Sequence, residues 1–263
     1  MTEAPDSNLK PKIAAISYLN TVPLVWGLLH GPQQNLLDVS FCLPSEAADR
    51  LAGGTADVGI VSSIEVPRQD LTCYPEIGIA SFGRVRSLLL IAKCPLSEVR
   101  VLAADTSSRT TVVLAQILLN LDYGASPILV PTRPDLKTML DVADAAVIIG
   151  DPALRLNPAE LEYASYDLGE LWTNFSGKPM IYAMWSGKPN RASAETFAIL
   201  DASYRYGKQN LDSIIISETK RQGLPADLVS TYLRDNIKFE LNSTYISGLE
   251  TYYQHARALS LLI

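Results

Sequence analysis

The sequence predicts an α/β protein built as two lobes joined by a hinge, with a cleft between them. Three observations predict it. Short apolar runs alternate with helical stretches. Two such alternating units follow one another, the second beginning near Val99. From about Ser193 the chain turns helical and returns to the first unit. The expected division is residues 1–95 plus 191–263 in lobe one and 96–190 in lobe two. Two crossings of this kind form a hinge.

Taken in order, Lys12–Ile16 reads as a buried strand, and Thr21-Val22-Pro23 opens a helix through Leu29. Asp38–Leu43 reads as a second strand. Ser45 caps a helix that Gly53-Gly54 stops. Strands follow at Asp57–Val61, Ile77–Ala80 and Ser87–Ile91. In the second unit Val101–Ala104 is a strand leading to a helix over Arg109–Asn120. Ile128–Pro131 is the next strand, Asp135 caps a short helix, and Ala145–Ile149 is a third strand. Pro179–Trp185 reads as a strand leading back. Leu228, Val229, Tyr232 and Leu233 give an apolar helical face, and Ser247–Glu250 has capping-box spacing before a last helix.

Composition narrows the function. With 48% hydrophobic and 19% charged residues, the chain is ordinary globular protein and not disordered. A net charge of −6 argues against a nucleic-acid partner. The first residues, MTEAPDSNLKPK, carry no apolar signal core, and no long apolar run follows, so a cytoplasmic protein without a membrane partner is expected. Cys42, Cys73 and Cys94 lack CxxC spacing and read as small buried hydrophobes. His30 and His255 lack metal-ligand spacing, so no metal and no cofactor is expected.

Three polar clusters sit just past strand ends, where α/β proteins place ligands. They are Ser17-Tyr18-Leu19-Asn20, Asp105-Thr106-Ser107-Ser108-Arg109-Thr110, and Gly150-Asp151. The first two put N–H groups and hydroxyls at the start of a helix, which favours anions. Each alone also reads as a helix cap. Their matching positions in two lobes favour a small dianion held between them. Arg84 and Arg86 run into a strand near the hinge, and each alone reads first as a surface arginine. Glu162, Asp167 and Glu170 read as a solvated face, and Trp172 and Trp185 as packing. No nucleophile–base pair is visible, so any reaction here needs little help from the protein's own acids and bases.

ISYLNTVPL, GTADVGIVSSIE, VRSLLL, DTSSRTT, IIGDPAL and YDLGELWTNFSGKPMIYAMW occur in this order. Together they resemble the chorismate dehydratase family of menaquinone biosynthesis by the futalosine route, over roughly residues 12–190. The resemblance implies a type II periplasmic-binding-protein fold. It also implies a hydro-lyase that converts chorismate, a dianion, to 3-[(1-carboxyvinyl)oxy]benzoate. The pair that the family relies on matches Asn20 of SYLN and Ser87 of VRSLLL. Two other readings stand beside it. The sister 1,4-dihydroxy-6-naphthoate synthase shares the fold but opens with an SPCPNDT-like segment and uses a histidine. A non-catalytic small-anion receptor is the third, and it implies a secretion signal or lipid anchor.

Overall fold

Runs such as Val58–Ser62 and Ala145–Ile149 are apolar at nearly every position, and such runs make strands buried on both faces. Both are strands in the structure, a computed structural model that describes residues 10–105 and 107–262. The first unit holds β1 (Lys12–Ile16), α1 (Val22–His30), β2 (Asp38–Cys42), α2 (Pro44–Ala52), β3 (Val58–Ser62), α3 (Glu65–Arg68) and β4 (Thr72–Ser81). The second holds β5 (Leu88–Ala92), β6 (Val101–Asp105), α4 (Arg109–Leu121), β7 (Ile128–Thr132), α5 (Leu136–Val142), β8 (Ala145–Ile149), α6 (Gly150–Leu154), β9 (Ala164–Asp167) and α7 (Leu168–Ser176). The return comprises β10 (Met180–Gly187), α8 (Ala194–Gln209), α9 (Leu211–Gln222), α10 (Ala226–Thr231), a π-helical turn (Tyr232–Asn236), β11 (Lys238–Glu240) and α11 (Ser243–Ala258).

The strands form two sheets. One has the order β11-β4-β10-β3-β1-β2, the other β7-β6-β8-β5-β9. In each, a strand that carries the chain across from the other lobe runs antiparallel to both of its neighbours. β10 runs antiparallel between β3 and β4, and β5 antiparallel between β8 and β9. This corrects the expected lobe boundaries. Residues 88–92 belong to the second sheet and 180–187 to the first, so the crossings lie at 82–87 and 177–179. An apolar run does not say which sheet it pairs with, which is why the sequence placed both crossings about ten residues late.

Strand alternation divides the core. Ile13 and Ala15 face the large core shared with α1, while Ala14 faces a smaller cluster with Ala47 and Leu51 of α2. In the second lobe Leu90 packs with Leu114 and Leu118 of α4, while Leu89 and Ile91 pack with Met139 and Leu140 of α5. Trp172 and Trp185 are fully buried in packing. The three cysteines are free, Cys42 buried and the other two half-buried.

Two local readings differ from the structure. α11 begins at Ser243, where the Asn242 side chain accepts from the N–H groups of Thr244 and Tyr245, so Ser247 lies inside the helix. Asn at a cap competes directly with a downstream Ser/Glu box. α2 is stapled by the Leu43 N–H donating to Glu46, and Ser45 is already in its first turn. β11 is too short to show a period. No helix among the described residues is long and apolar enough to cross a membrane.

α8 lies directly on α1, and the approach is set by Gly207. A Cβ there would stand 2.0 Å from the Pro23 carbonyl oxygen. Both partners are backbone, so neither can yield cheaply. Gly207→Ala is therefore expected to destabilise the protein by about 3 kcal/mol, read as a lower urea midpoint at unchanged m-value.

Candidate functional site

The two strand-to-helix corners face each other. After β1, Ser17 and Tyr18 lead into a tight 3-10 turn over Leu19–Thr21 and then α1. The Leu19 N–H donates across the cleft to Asp151 Oδ1 at 2.9 Å, and the other Asp151 oxygen accepts from Gln222 Nε2 at 2.8 Å. Burial pushes the Asp151 carboxyl up, while these two donors pull it back. Gly150 has φ +63°, and a Cβ there would sit 2.6 Å from the Tyr18 ring. Only glycine both adopts this backbone and lets the ring lie against it.

In the facing corner, Asp105 accepts from the Ser107 N–H (2.9 Å) and the Ser107 hydroxyl (2.6 Å). The Ser107 proton is thereby committed, so the Tyr18 hydroxyl, 3.1 Å away, donates to Ser107 Oγ. Ser108 caps α4 by accepting from the Thr111 N–H, and its hydroxyl reaches Thr111 Oγ1 at 2.9 Å. The lobes are clasped around this corner. The Ser45 N–H donates to the Ser107 carbonyl, the Ile64 N–H to Thr110 Oγ1, and the Tyr252 hydroxyl to the Thr110 carbonyl. Arg109 bridges to Asp49 (2.7 Å) and Glu65 (3.0 Å).

Between the corners lies a cavity of about 40 Å³. Its lining includes Tyr18, Asn20, Ser62, Ser87, Ser108, Thr111, Gly150 and Tyr182, backed by Ile16, Ile79, Leu88 and Ile149. Asn20 Nδ2 donates to the Tyr232 hydroxyl at 3.0 Å, and that hydroxyl donates to Ser87 Oγ at 2.9 Å. Asn20 Oδ1 is buried with no partner among the described residues. Burial pushes the Tyr18 phenol up to about 12 and raises those of Tyr182 and Tyr232 as well, so all three stay protonated at neutral pH. The described lining contains no carboxylate, histidine, lysine, arginine or cysteine. The volume suits a water, not a six-membered ring.

The structure thus brings Tyr18, Asn20, Ser87, Ser108 and Gly150 to one cavity. Ser107, Thr110 and Asp151 stand behind it and hold its walls. Ser17 is exposed and bonds the Cys42 carbonyl, and Arg109 is engaged in the clasp, so neither lines the cavity. Thr106 lies outside the described residues. Arg86 is a peg: its guanidinium donates to the carbonyls of Ala153, Leu154 and Leu156, and its backbone has φ +69°.

Asp167 corrects the expectation of a solvated face. It is buried, caps α7, and accepts from the N–H groups of Val85 and Arg86, which fixes the backbone just before Ser87. Tyr232, Tyr182, Thr111 and Gln222 are site residues that the sequence does not single out. Tyr232 sits on an apolar helical face, where a phenol reads as packing.

A family model described as menaquinone biosynthesis matches residues 11–258. The chain belongs to the menaquinone biosynthesis family. A curated relative of this family member, the chorismate dehydratase of Thermus thermophilus, is 28% identical over 241 residues, 85% of this chain and 87% of that one. Among solved structures, a protein of Archaeoglobus fulgidus superposes with a TM-score of 0.76 at 16% identity, over 97% of this chain and 100% of that one. The alkanesulfonate-binding protein SsuA of Xanthomonas axonopodis pv. citri, bound to MOPS, gives 0.68 at 14% identity, over 96% and 94%. The aliphatic sulphonate binding protein SsuA of Escherichia coli gives 0.63 at 15%, over 95% and 87%. At these identities the likeness is one of fold, and the family member has the type II periplasmic-binding-protein fold.

In this fold Asp151 is the pin that ties the Asn20 corner to the far lobe. Asp151→Ala leaves the Leu19 N–H and the Gln222 amide without their acceptor while removing a desolvated charge. The net cost is expected to be about 2 kcal/mol, measured by chemical denaturation.

Proposed function

We propose that the protein is a chorismate dehydratase, which eliminates water from chorismate to give 3-[(1-carboxyvinyl)oxy]benzoate. One observation carries this reading. Asn20 and Ser87, the pair that matches the family's motif, line one cavity between the lobes, and nothing that titrates near neutral pH lines it with them. A site of that kind suits a reaction whose driving force lies in the substrate. The 28% identical relative named chorismate dehydratase supports the same reading.

Chorismate carries a carboxylate on its ring, a second on its enolpyruvyl ether at C3, and a hydroxyl at C4. Removal of the C3 proton and of the C4 hydroxide yields one water and an aromatic ring, so the step is strongly downhill. Charge left at C3 delocalises through the ring double bond into the ring carboxylate. With no protein base in the lining, the enolpyruvyl carboxylate of the substrate itself takes the C3 proton. The protein binds, orients and solvates. The start of α4, with the Ser108 hydroxyl and the first-turn N–H groups, offers a carboxylate site where the helix dipole is favourable. Ser87 and Asn20 orient the reacting carbons and stabilise developing charge by hydrogen bonds. Lobe closure excludes water from the ring.

The sister naphthoate synthase reading asks for a histidine at the site. Here His30 ends α1 against Trp26, and His255 packs against Trp172 and Phe175; neither lines the cavity.

Purified protein incubated with chorismate and no added cofactor is expected to yield a product lighter by one water, with an aromatic ultraviolet spectrum. Unchanged chorismate, bound or not, would support a receptor instead. Ser87→Ala and Asn20→Asp are each expected to lower kcat by about 100-fold or more. Near-normal turnover by both variants would remove the pair from the mechanism. Because the phenols at the cavity ionise only in strongly alkaline solution, kcat is expected to be flat between about pH 6 and 9. A limb within that range would point to a titrating protein base.

A further inference from the structure

The group that joins Asn20 to Ser87 is a phenol from a distant part of the chain. Tyr232 opens the π-helical turn after α10, is 1% exposed, and contacts both residues through its hydroxyl. We propose that Tyr232 is a positioning residue that fixes Ser87 and Asn20 as one hydrogen-bond donor and one acceptor, a pair matched to the hydroxyl that leaves the substrate. This role rests on the dehydratase reading and deepens it.

A phenol has one proton to give. In the structure it is given to Ser87 Oγ, so the Ser87 proton remains for whatever occupies the cavity. The phenol oxygen accepts from Asn20 Nδ2, which leaves Asn20 Oδ1 as the free acceptor of the amide, buried and without a partner among the described residues. If the relay ran in reverse, Ser87 would give its proton to the phenol and the Asn20 NH2 would face inward. Either way, the single phenolic proton enforces one donor and one acceptor at the cavity. A neutral hydroxyl both donates and accepts, and it satisfies such a pair. A carboxylate would leave Asn20 Oδ1 unsatisfied, at a cost for any buried acceptor.

In the observed sense the chain runs from the Asn20 amide through the phenol and Ser87 to the cavity. Each bond polarises the next. As the C4–O bond breaks, its electron pair stays on oxygen, and the substrate's own carboxyl group, which took the C3 proton, passes it to the departing hydroxide to give water. The Ser87 hydroxyl donates to this oxygen and is a stronger donor for having the phenol behind it. Before the bond breaks, Asn20 Oδ1 holds the hydroxyl's proton and thereby its orientation. Because the charge appears only in the transition state, the effect belongs in kcat and not in KM.

The test is a double-mutant cycle on the intact protein with chorismate. Tyr232→Phe keeps the ring and removes only the hydroxyl. It is expected to lower kcat by about 10- to 100-fold with KM within about threefold. Tyr232→Phe combined with Ser87→Ala is expected to lose much less than the product of the two single losses, since the phenol acts in part through Ser87. A merely structural tyrosine would instead give additive losses. Tyr232→Phe turnover within about twofold of native, or additive losses in the cycle, overturns the proposal while leaving the dehydratase reading intact. Native protein that leaves chorismate unchanged overturns both. Should the Phe variant not fold, 3-fluorotyrosine at position 232 decides: it keeps the shape and donates more strongly, so kcat above native supports the relay, and kcat at or below native overturns it.

Discussion

The Leu19 N–H reaches across the cleft to the Asp151 carboxylate, and the rest of the site depends on that bond. It ties the corner that follows β1 to the corner that follows β8. Gln222 holds the second oxygen of Asp151, so the pin is anchored from the C-terminal return as well. With the corners tied, Tyr18 lies on Gly150 and donates to Ser107, and Asn20 stands beside Tyr232 and Ser87. A carboxylate buried this deeply must be fully engaged, or it would be protonated instead. Asp151 holds the walls of the cavity and is not itself in the lining.

The same design explains why a binding-protein scaffold would suit the proposed dehydration. Two lobes that close on a small anion already exclude water and set its conformation. What remains is to place hydrogen-bond groups where charge develops. Ser87 is placed by the crossing between lobes, whose backbone is locked by Asp167 and whose Arg86 is pegged into the carbonyls that end α6. The positive φ of Arg86 is strain held by those contacts, just before the serine that needs a fixed position.

Much of the fold was legible because its signals are local. The apolar runs gave most of the strands, and Asp135 and Gly53 marked helix ends where the structure has them. The strand crossings fall earlier in the chain than expected because strand pairing is not local: an apolar run does not say which sheet it joins. Within the site, the corner residues were visible from their position after strands. Tyr232 was not, because a buried phenol on an apolar helical stripe looks the same whether its hydroxyl meets a stray carbonyl or two site residues. Asp167 was misread for a related reason. A run of acids looks solvated until the backbone donors that face one member of it are known.

In the proposed reaction the substrate, not the protein, supplies the base. The direct measurement uses chorismate whose enolpyruvyl carboxylate is converted to its methyl ester, with the ring carboxylate left free. The account predicts that the ester is not dehydrated by the protein, while chorismate itself loses water under the same conditions. Dehydration of the ester at a rate like that of chorismate would contradict it and require a proton acceptor from the chain.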